Sequence, residues 1–130
     1  MTESPAPASV RTVPTAAVQP VSLGAAGSQR VLLGGPSAEP SPQVLGITRI
    51  LAGQTSQLIA HVTSEVAYVL TGSGWMVTDT SRHPFAAGDA IVIEALSWHA
   101  IQAGEVSVEM LYVFPTPTVP PTSVHSSTTW

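Results

Sequence analysis

The sequence contains no cysteine, which excludes disulfide bonds, thiolate metal ligands and cysteine nucleophiles. Any metal must therefore be bound through nitrogen and oxygen atoms. Charged residues make up only 9% of the chain, and the net charge is -4. The four basic residues are all arginines and form no cluster. Because nucleic acid binding requires a basic surface, nucleic acid is not an expected partner.

Long apolar runs are also absent. No stretch approaches the roughly 20 apolar residues that a transmembrane helix needs. The N-terminal sequence MTESPAPASV lacks the basic start and the apolar core of a signal peptide. We therefore expect no membrane partner and a cytoplasmic location. The length of 130 residues suits one domain with a real core.

Both ends of the chain are rich in Pro, Ala, Ser and Thr. Such segments bury too little apolar surface to offset their ordering entropy, so we expect residues 1–16 to be disordered. Residues 116–130 have the same character, and their prolines remove backbone donors that a strand would need. The folded domain is accordingly predicted to span residues 17–115.

Between these ends the sequence is typical of short β-strands. Val, Ile, Thr and aromatic residues fill each segment, and Gly, Pro, Ser or Asp separate the segments at short intervals. No stretch has a helical period. Eight or more such strands predict an all-β protein, either a double-sheet jelly roll or a barrel. The predicted strands span residues 29–33, 44–51, 57–62, 66–72, 75–79, 90–95, 98–103 and 106–114.

Two histidines and one glutamate stand near the ends of these strands. His61 and Glu65 open the stretch HVTSEVAYVLTGSG, and His99 follows a Gly-Asp turn and a β-branched strand in GDAIVIEALSWHA. Two imidazoles and one carboxylate are the ligands of the facial triad in non-haem Fe(II) oxygenases. The three residues are therefore candidate metal ligands and candidate catalytic residues. The opposing interpretation is a hydrogen-bonded His61 and Glu65 pair that binds no metal.

These two stretches resemble the two motifs of the cupin superfamily. The first motif, G(X)5HXH(X)3-4E(X)6G, is matched at Gly53, His61, Glu65 and Gly72, with Ile59 in place of its first histidine. The resemblance covers roughly the middle half of the chain.

The second cupin motif, G(X)5PXG(X)2H(X)3N, is retained at Gly88 and His99. Its proline, glycine and asparagine are replaced by Glu94, Leu96 and Ala103, respectively. The spacing is thus better preserved than the residue types.

The resemblance implies that residues 17–115 form a cupin-type jelly-roll barrel and that the protein is a homodimer. It also implies a divalent metal, Fe(II) or Zn(II), bound by His61, Glu65 and His99, since some cupin iron enzymes use only this subset of ligands. Iron would support oxygenase chemistry, and zinc would favour water activation or Lewis-acid chemistry. The alternative is that the incomplete motif binds no metal.

Strand alternation predicts which residues line the interior. Side chains two residues apart share a face, so Gln57, Ile59 and His61 point the same way. Ile59 then forms an apolar wall where the family has an imidazole, and the Gln57 amide can hydrogen-bond a substrate. Trp75 and Tyr112 are further candidates for the substrate cavity, although aromatic residues also serve as core or as a subunit interface.

The scarcity of charge indicates a largely apolar substrate, since sites for sugars or acidic metabolites usually contain arginine or lysine. Together with a composition typical of high-GC bacteria, it favours a small-molecule enzyme of bacterial natural-product biosynthesis. The first hypothesis for its function is the metal-dependent enzyme. A metal-independent cyclase or isomerase, which orients a polyene or polyketide for reaction, is the alternative. A non-enzymatic ligand-binding module is a third, because fold alone does not determine function.

Overall fold

The computed structural model describes residues 9–36 and 38–126. Within these ranges the chain forms eleven strands and one short 3-10 helix, Thr15–Ala17, and contains no α-helix. No helix in this part of the chain could span a membrane. The all-β prediction is confirmed. The strands are β1 (Val21–Ser22), β2 (Gly27–Leu33), β3 (Val44–Ile50), β4 (Ile59–His61), β5 (Glu65–Thr71), β6 (Ser73–Val77), β7 (Arg82–Ala86), β8 (Ala90–Ile93), β9 (Ala100–Ala103), β10 (Val108–Phe114) and β11 (Thr122–Val124).

Six strands form the larger sheet, in the order β1-β2-β3-β10-β5-β8, and every neighbouring pair is antiparallel. Strand β5 shows why one face of this sheet is the core. Its buried residues Glu65, Ala67 and Val69 alternate with the exposed residues Val66 and Tyr68. This period of two is expected for an antiparallel sheet with one face covered and one face in solvent.

The second layer contains the three-stranded sheet β7-β6-β9 and the pair β11-β4. Two isolated antiparallel bridges join the two groups of strands. Thr55, which precedes β4, pairs with Gln102 of β9, and Ile59 of β4 pairs with His99, which precedes β9. The pair β11-β4 therefore continues the smaller sheet. The two layers face each other across an apolar core, so the predicted double-sheet jelly roll is confirmed.

The interior of the barrel has two different ends. At one end, Ile50, Val69, Ala103 and Val108 are buried together in the hydrophobic core. We call this the closed end. At the other end, the two sheets enclose a cavity that contains His61. We call this the open end.

The turn from β5 to β6 explains the last glycine of the first cupin-like motif. Gly72 has a φ of 83°, in the region that favours glycine. A Cβ at this position would also collide with the carbonyl oxygen of Ser107. Glycine is therefore required both by the backbone conformation and by the close approach of a neighbouring chain segment.

The C-terminal segment differs from the prediction. Thr122 and Val124 lie in strand β11, which pairs with β4 so that Thr122 is opposite His61 and Val124 is opposite Ile59. The prolines at 120 and 121 precede the strand, so their missing N–H groups remove no hydrogen bond from it. The prediction of a disordered tail is wrong for this strand. Residues 127–130 and residues 1–8 lie outside the described residues, and the domain boundaries at 17 and 115 stay a prediction.

Strand β7 lies outside the predicted strands, and a His-Pro pair is typical of a turn. His83 and Pro84 pair instead with Met76 and Trp75 of β6. Strand β7 lies at the edge of its sheet, where a proline costs no ladder hydrogen bond on the solvent side. His83 is exposed.

Candidate metal centre

Three strand ends bring the candidate ligands together. His61 is the last residue of β4, Glu65 is the first residue of β5, and His99 directly precedes β9. The backbones of Ile59 and His99 exchange two hydrogen bonds, of 2.9 and 2.8 Å. This bridge places the two histidines on neighbouring segments of the chain although they are far apart in the sequence.

The three side chains converge on one point inside the open end. The Glu65 Oε1 atom lies 3.5 Å from His61 Nε2 and 3.4 Å from His99 Nε2. One potential ligand atom from each residue lies within 4.8 Å of the others, and all three residues are buried. The structure therefore groups the three residues that the sequence singled out.

Hydrogen bonds define the tautomer of His99. Its Nδ1 atom lies 2.9 Å from the carbonyl oxygen of Ser97. A carbonyl oxygen only accepts hydrogen bonds, so Nδ1 must carry the proton. In the neutral imidazole, Nε2 then has a free lone pair directed toward Glu65.

His61 is held in the same tautomer by a different partner. Its Nδ1 atom lies 2.7 Å from the Thr122 hydroxyl oxygen, and that hydroxyl donates to the carbonyl oxygen of Pro120 at 3.1 Å. The hydroxyl proton is thus in use, so Thr122 accepts a hydrogen bond from His61 Nδ1. The Nε2 atom of His61 therefore also presents a lone pair to Glu65.

The consequence is that acceptors face one another without a donor between them. Among the described residues, Glu65 Oε1 is buried and has no hydrogen-bond partner. Burial lowers the pKa of His61 below its ordinary value of 6.5, against the opposing effect of Glu65 and with the assistance of His99. A neutral His61 cannot donate from Nε2 while Nδ1 holds the proton. A divalent cation would satisfy both lone pairs and the carboxylate, so the residues fit a metal.

The loop before His99 departs from the cupin motif at Leu96, where the motif has glycine. Leu96 has a φ of 65° and is the one residue other than glycine with a positive φ in the described chain. This conformation costs a residue with a Cβ about 1 to 2 kcal/mol. The Leu96 N–H donates to the carbonyl oxygen of His61 at 2.7 Å. The loop therefore keeps the tight turn without glycine and ties the two histidine segments together.

The cavity at the open end has a volume of about 620 Å³, in the range of small-molecule sites. Gln57, Ile59 and Tyr112 line it, as do the three candidate ligands. Glu65 is the single Asp, Glu, Lys or Arg among the described residues of the lining. Sequence reasoning missed several of the lining residues, among them Gln29 and Thr48 from the larger sheet and Val119, Thr122 and Val124 from the C-terminal segment. Strand alternation could have identified Gln29 and Thr48, but no local signal marks the C-terminal segment.

Trp75 does not line this cavity. Its ring lies 4.3 Å from the Arg82 guanidinium carbon, on the side of β6 away from the barrel interior. The neighbouring Met76 faces the cavity instead. Alternation predicts which residues share a face, but the pairing of β6 with β7 and β9 decides which face is inside. The predicted contact of Trp75 with a substrate therefore gains no support from this cavity and stays a prediction.

Tyr112 reaches the cavity from β10 of the larger sheet. Its ring packs over Gly46 on β3, where a Cβ would overlap both the ring and the hydroxyl. Burial, with a contribution from Glu65, raises the pKa of Tyr112 to about 12. The phenol therefore stays protonated near neutral pH and is a potential hydrogen-bond donor to a bound molecule.

The family profile of the cupin domain matches residues 46–114 of this chain. The polyketide cyclase RemF from Streptomyces resistomycificus is similar in structure, with a TM-score of 0.74, 20% identity, and coverage of 89% of this chain and 85% of that chain. A cupin 2 conserved barrel domain protein from Salinispora arenicola has a TM-score of 0.62 and 22% identity, with coverage of 82% and 87%. An oxalate decarboxylase from Bacillus subtilis has a TM-score of 0.74 and 15% identity, with coverage of 85% of this chain and 30% of that chain. No curated protein matches the sequence.

Proposed function

The chain belongs to the cupin domain family, and we propose that it is a metal-dependent enzyme that acts on a small, neutral, largely apolar metabolite inside the barrel. The family membership confirms the resemblance seen in the sequence. Enzymes occur among the structural neighbours, but at these identities they support only the fold. The proposal therefore rests on the site itself.

The observation that carries the proposal is the convergence of three acceptors around one buried point. His61, Glu65 and His99 would hold the cation, with Glu65 supplying the charge and the two Nε2 atoms supplying the lone pairs. A bound Fe(II) would supply oxygen chemistry, and a bound Zn(II) would supply Lewis-acid chemistry. The hydrogen bonds that both Nδ1 atoms donate orient the imidazoles before any ligand arrives.

The rest of the cavity indicates the class of substrate. A carboxylate or phosphate substrate would find no arginine or lysine in the described lining to balance its charge. Ile59, Met76 and Met110 supply apolar surface. Tyr112 can donate a hydrogen bond and Gln57 can both donate and accept, which suits a molecule with hydroxyl or keto groups.

A metal-independent cyclase of natural-product biosynthesis is the second candidate. The size and apolar character of the cavity favour it, whereas the similarity to the polyketide cyclase RemF, which extends over most of both chains, supports only the fold. In that case the barrel would act by orienting a flexible polyketide or polyene, and orientation alone can lower a barrier by several kcal/mol. His61 or Glu65 would then act only as a proton carrier.

The homodimer stays a prediction. The outer face of the larger sheet exposes Val66, Tyr68 and Leu70 of β5 and Val92 of β8. Such an apolar patch is a suitable contact for a second copy. Light scattering on the wild-type protein and on Tyr68→Glu would test it, since a dimer through this face should become a monomer in the variant.

Elemental analysis tests the metal. The protein is purified without chelator or affinity metal and then incubated anaerobically with Fe(II) or Zn(II). We expect a stoichiometric metal in the wild type and its loss in His99→Ala. His83→Ala is the matched control, because it removes an exposed histidine that does not line the cavity and should retain the metal.

The outcomes separate the two candidates. Metal in the wild type and the control but not in His99→Ala supports the metal-dependent enzyme, and the element distinguishes oxygen chemistry from Lewis-acid chemistry. The absence of metal under every loading condition, or equal metal in all three proteins, would contradict it. Turnover of polyketide substrates that survives chelation would then support the cyclase.

A further inference from the structure

We infer that Thr122, on the C-terminal strand β11, is a positioning residue that holds His61 in the Nδ1–H tautomer and so keeps its Nε2 atom available to a cation. The inference rests on the proposed metal site for its consequence. Thr122 lies outside residues 46–114, the part of the chain that the cupin family profile matches. This partner of His61 therefore comes from a segment beyond the matched family region.

The direction of the hydrogen bonds supports this role. The Thr122 hydroxyl is engaged at both sides, as acceptor from His61 Nδ1 at 2.7 Å and as donor to the Pro120 carbonyl oxygen at 3.1 Å. Because the Pro120 carbonyl oxygen can only accept, it commits the hydroxyl proton and leaves an oxygen lone pair for the imidazole. These two hydrogen bonds of Thr122 therefore favour the Nδ1–H tautomer of His61 over the Nε2–H tautomer.

The strand register places Thr122 where this bond can form. Thr122 and His61 are direct partners across the antiparallel pair β11-β4, and directly opposed side chains lie within reach of each other. Backbone bonds flank this pair, from the His125 N–H to the Leu58 carbonyl oxygen at 2.9 Å and from the Val62 N–H to the Pro121 carbonyl oxygen at 3.4 Å.

A ring contact adds to the attachment of the C-terminal segment. The His125 ring meets Trp98 edge to face, with centroids 4.8 Å apart. Trp98 directly precedes the candidate ligand His99. The segment thus contacts the chain beside both histidines of the site.

The competing tautomer shows what Thr122 prevents. With its proton on Nε2, His61 could donate directly to Glu65 Oε1, which lies 3.5 Å away and otherwise lacks a partner. That bond would satisfy the buried carboxylate but would occupy the two atoms that a cation needs. Thr122 opposes this tautomer, because a proton on Nδ1 makes a hydrogen bond to the Thr122 hydroxyl oxygen.

His99 provides an internal reference. Its Nδ1 atom donates to the backbone carbonyl oxygen of Ser97, which no side-chain substitution removes. A change at Thr122 should therefore alter the tautomer of His61 and leave that of His99 unchanged. A general disturbance of the barrel would alter both.

The test compares three variants with the wild type. Thr122→Val removes the hydroxyl while keeping the shape and the β-branched side chain, and Thr122→Ser restores the hydroxyl. Ser123→Ala changes the adjacent residue of β11, which is exposed and has no side-chain bond to the site. Side-chain ¹⁵N chemical shifts of labelled histidine in the metal-free protein report the tautomers, and competition with a chromophoric chelator reports Zn(II) affinity.

We expect Nδ1–H at both histidines in the wild type. In Thr122→Val, His61 should change to Nε2–H and Zn(II) affinity should fall about 10- to 100-fold, as is usual when the hydrogen-bond partner of a metal-binding histidine is lost. Thr122→Ser should restore both properties, and Ser123→Ala should change neither.

The His61 tautomer and the metal affinity are measured independently, so each can contradict its own hypothesis. Nε2–H at His61 in the wild type, or an unchanged His61 tautomer in Thr122→Val, would overturn the inference. A failure of Thr122→Ser to restore the wild-type tautomer would also overturn it, because the hydroxyl would then not be the cause. If the wild type binds no Zn(II) or Fe(II) although the tautomers respond as expected, the proposed metal function fails while Thr122 remains the residue that sets the His61 tautomer.

Discussion

The closed and open ends of the barrel are built from the same strands but differ in the kinds of side chain that they bury. On β5, Val69 is fully buried at the closed end, and Glu65, four residues earlier on the same face, is buried at the open end with an oxygen that lacks a partner. On β10, Val108 belongs to the closed end and Tyr112 lines the cavity. The closed end satisfies every expectation for an apolar core.

The difference teaches where this protein places stability and where it places chemistry. Packed aliphatic side chains at the closed end exclude water and hold the two sheets together. The open end retains a buried carboxylate and two imidazoles that no structural argument requires. Residues that break the rules of a stable core while their neighbours follow them are expected at functional sites.

The largest expected effect on stability is at the closed end. Ile50 is fully buried, and Ile50→Ala should lower the free energy of unfolding by about 2 to 5 kcal/mol through lost burial and a residual cavity. Urea unfolding of the metal-free protein measures it. Leu51→Ala is the control, since Leu51 is 42% exposed, and it should change the stability far less. Equal effects of the two substitutions would mean that the closed end is not the stabilising core.

The next effect is at the boundary between the two ends. Gly46→Ala places a Cβ against the Tyr112 ring, and overpacking of this kind costs about 1 to 3 kcal/mol. The cost should fall when Tyr112→Leu is added, because the smaller side chain vacates the space. A double-mutant cycle measures the coupling. Additive effects would show that Tyr112 does not pack on Gly46 in solution.

A smaller effect of opposite sign is expected at the open end. Glu65→Gln should abolish metal binding, yet it should stabilise the metal-free protein by about 1 kcal/mol, because a neutral amide removes an unpartnered buried charge and can donate to an imidazole. Unfolding in the presence of chelator measures the stability. A clear loss of stability under these conditions would indicate that Glu65 has a structural partner in solution, and it would weaken the contrast between the two ends.

The smallest effect is a dependence on pH. Burial lowers the pKa of His61 below 6.5, so the unfolded chain binds a proton there more readily than the folded protein does. The contribution of neutral His61 to stability is therefore complete above pH 6.5 and is lost as the pH falls toward the folded-state pKa.

The difference in unfolding free energy between the metal-free wild type and His61→Gln measures this dependence. It should shrink between about pH 8 and about pH 5. A wild-type advantage that grows in acid would show that Glu65 raises the His61 pKa by more than burial lowers it.

Much of the site was predictable because strand alternation is local. Glu65 and Val69 share a face, as do Ile59 and His61, whatever the rest of the chain does. Trp75 shows the limit of this reasoning. Its alternation with Met76 was predictable, but the face that turns inward depends on how β6 pairs with its neighbours.

The sequence by itself determined the all-β class, the family motifs, and the identity and spacing of His61, Glu65 and His99. Only the tertiary structure decided that β11 pairs with β4 and that Thr122 is the hydrogen-bond partner of His61. The physical reason is range. Alternation and turn preferences act between residues a few positions apart, whereas Thr122 and His61 are 61 residues apart. Their contact exists only once the two sheets have formed the barrel.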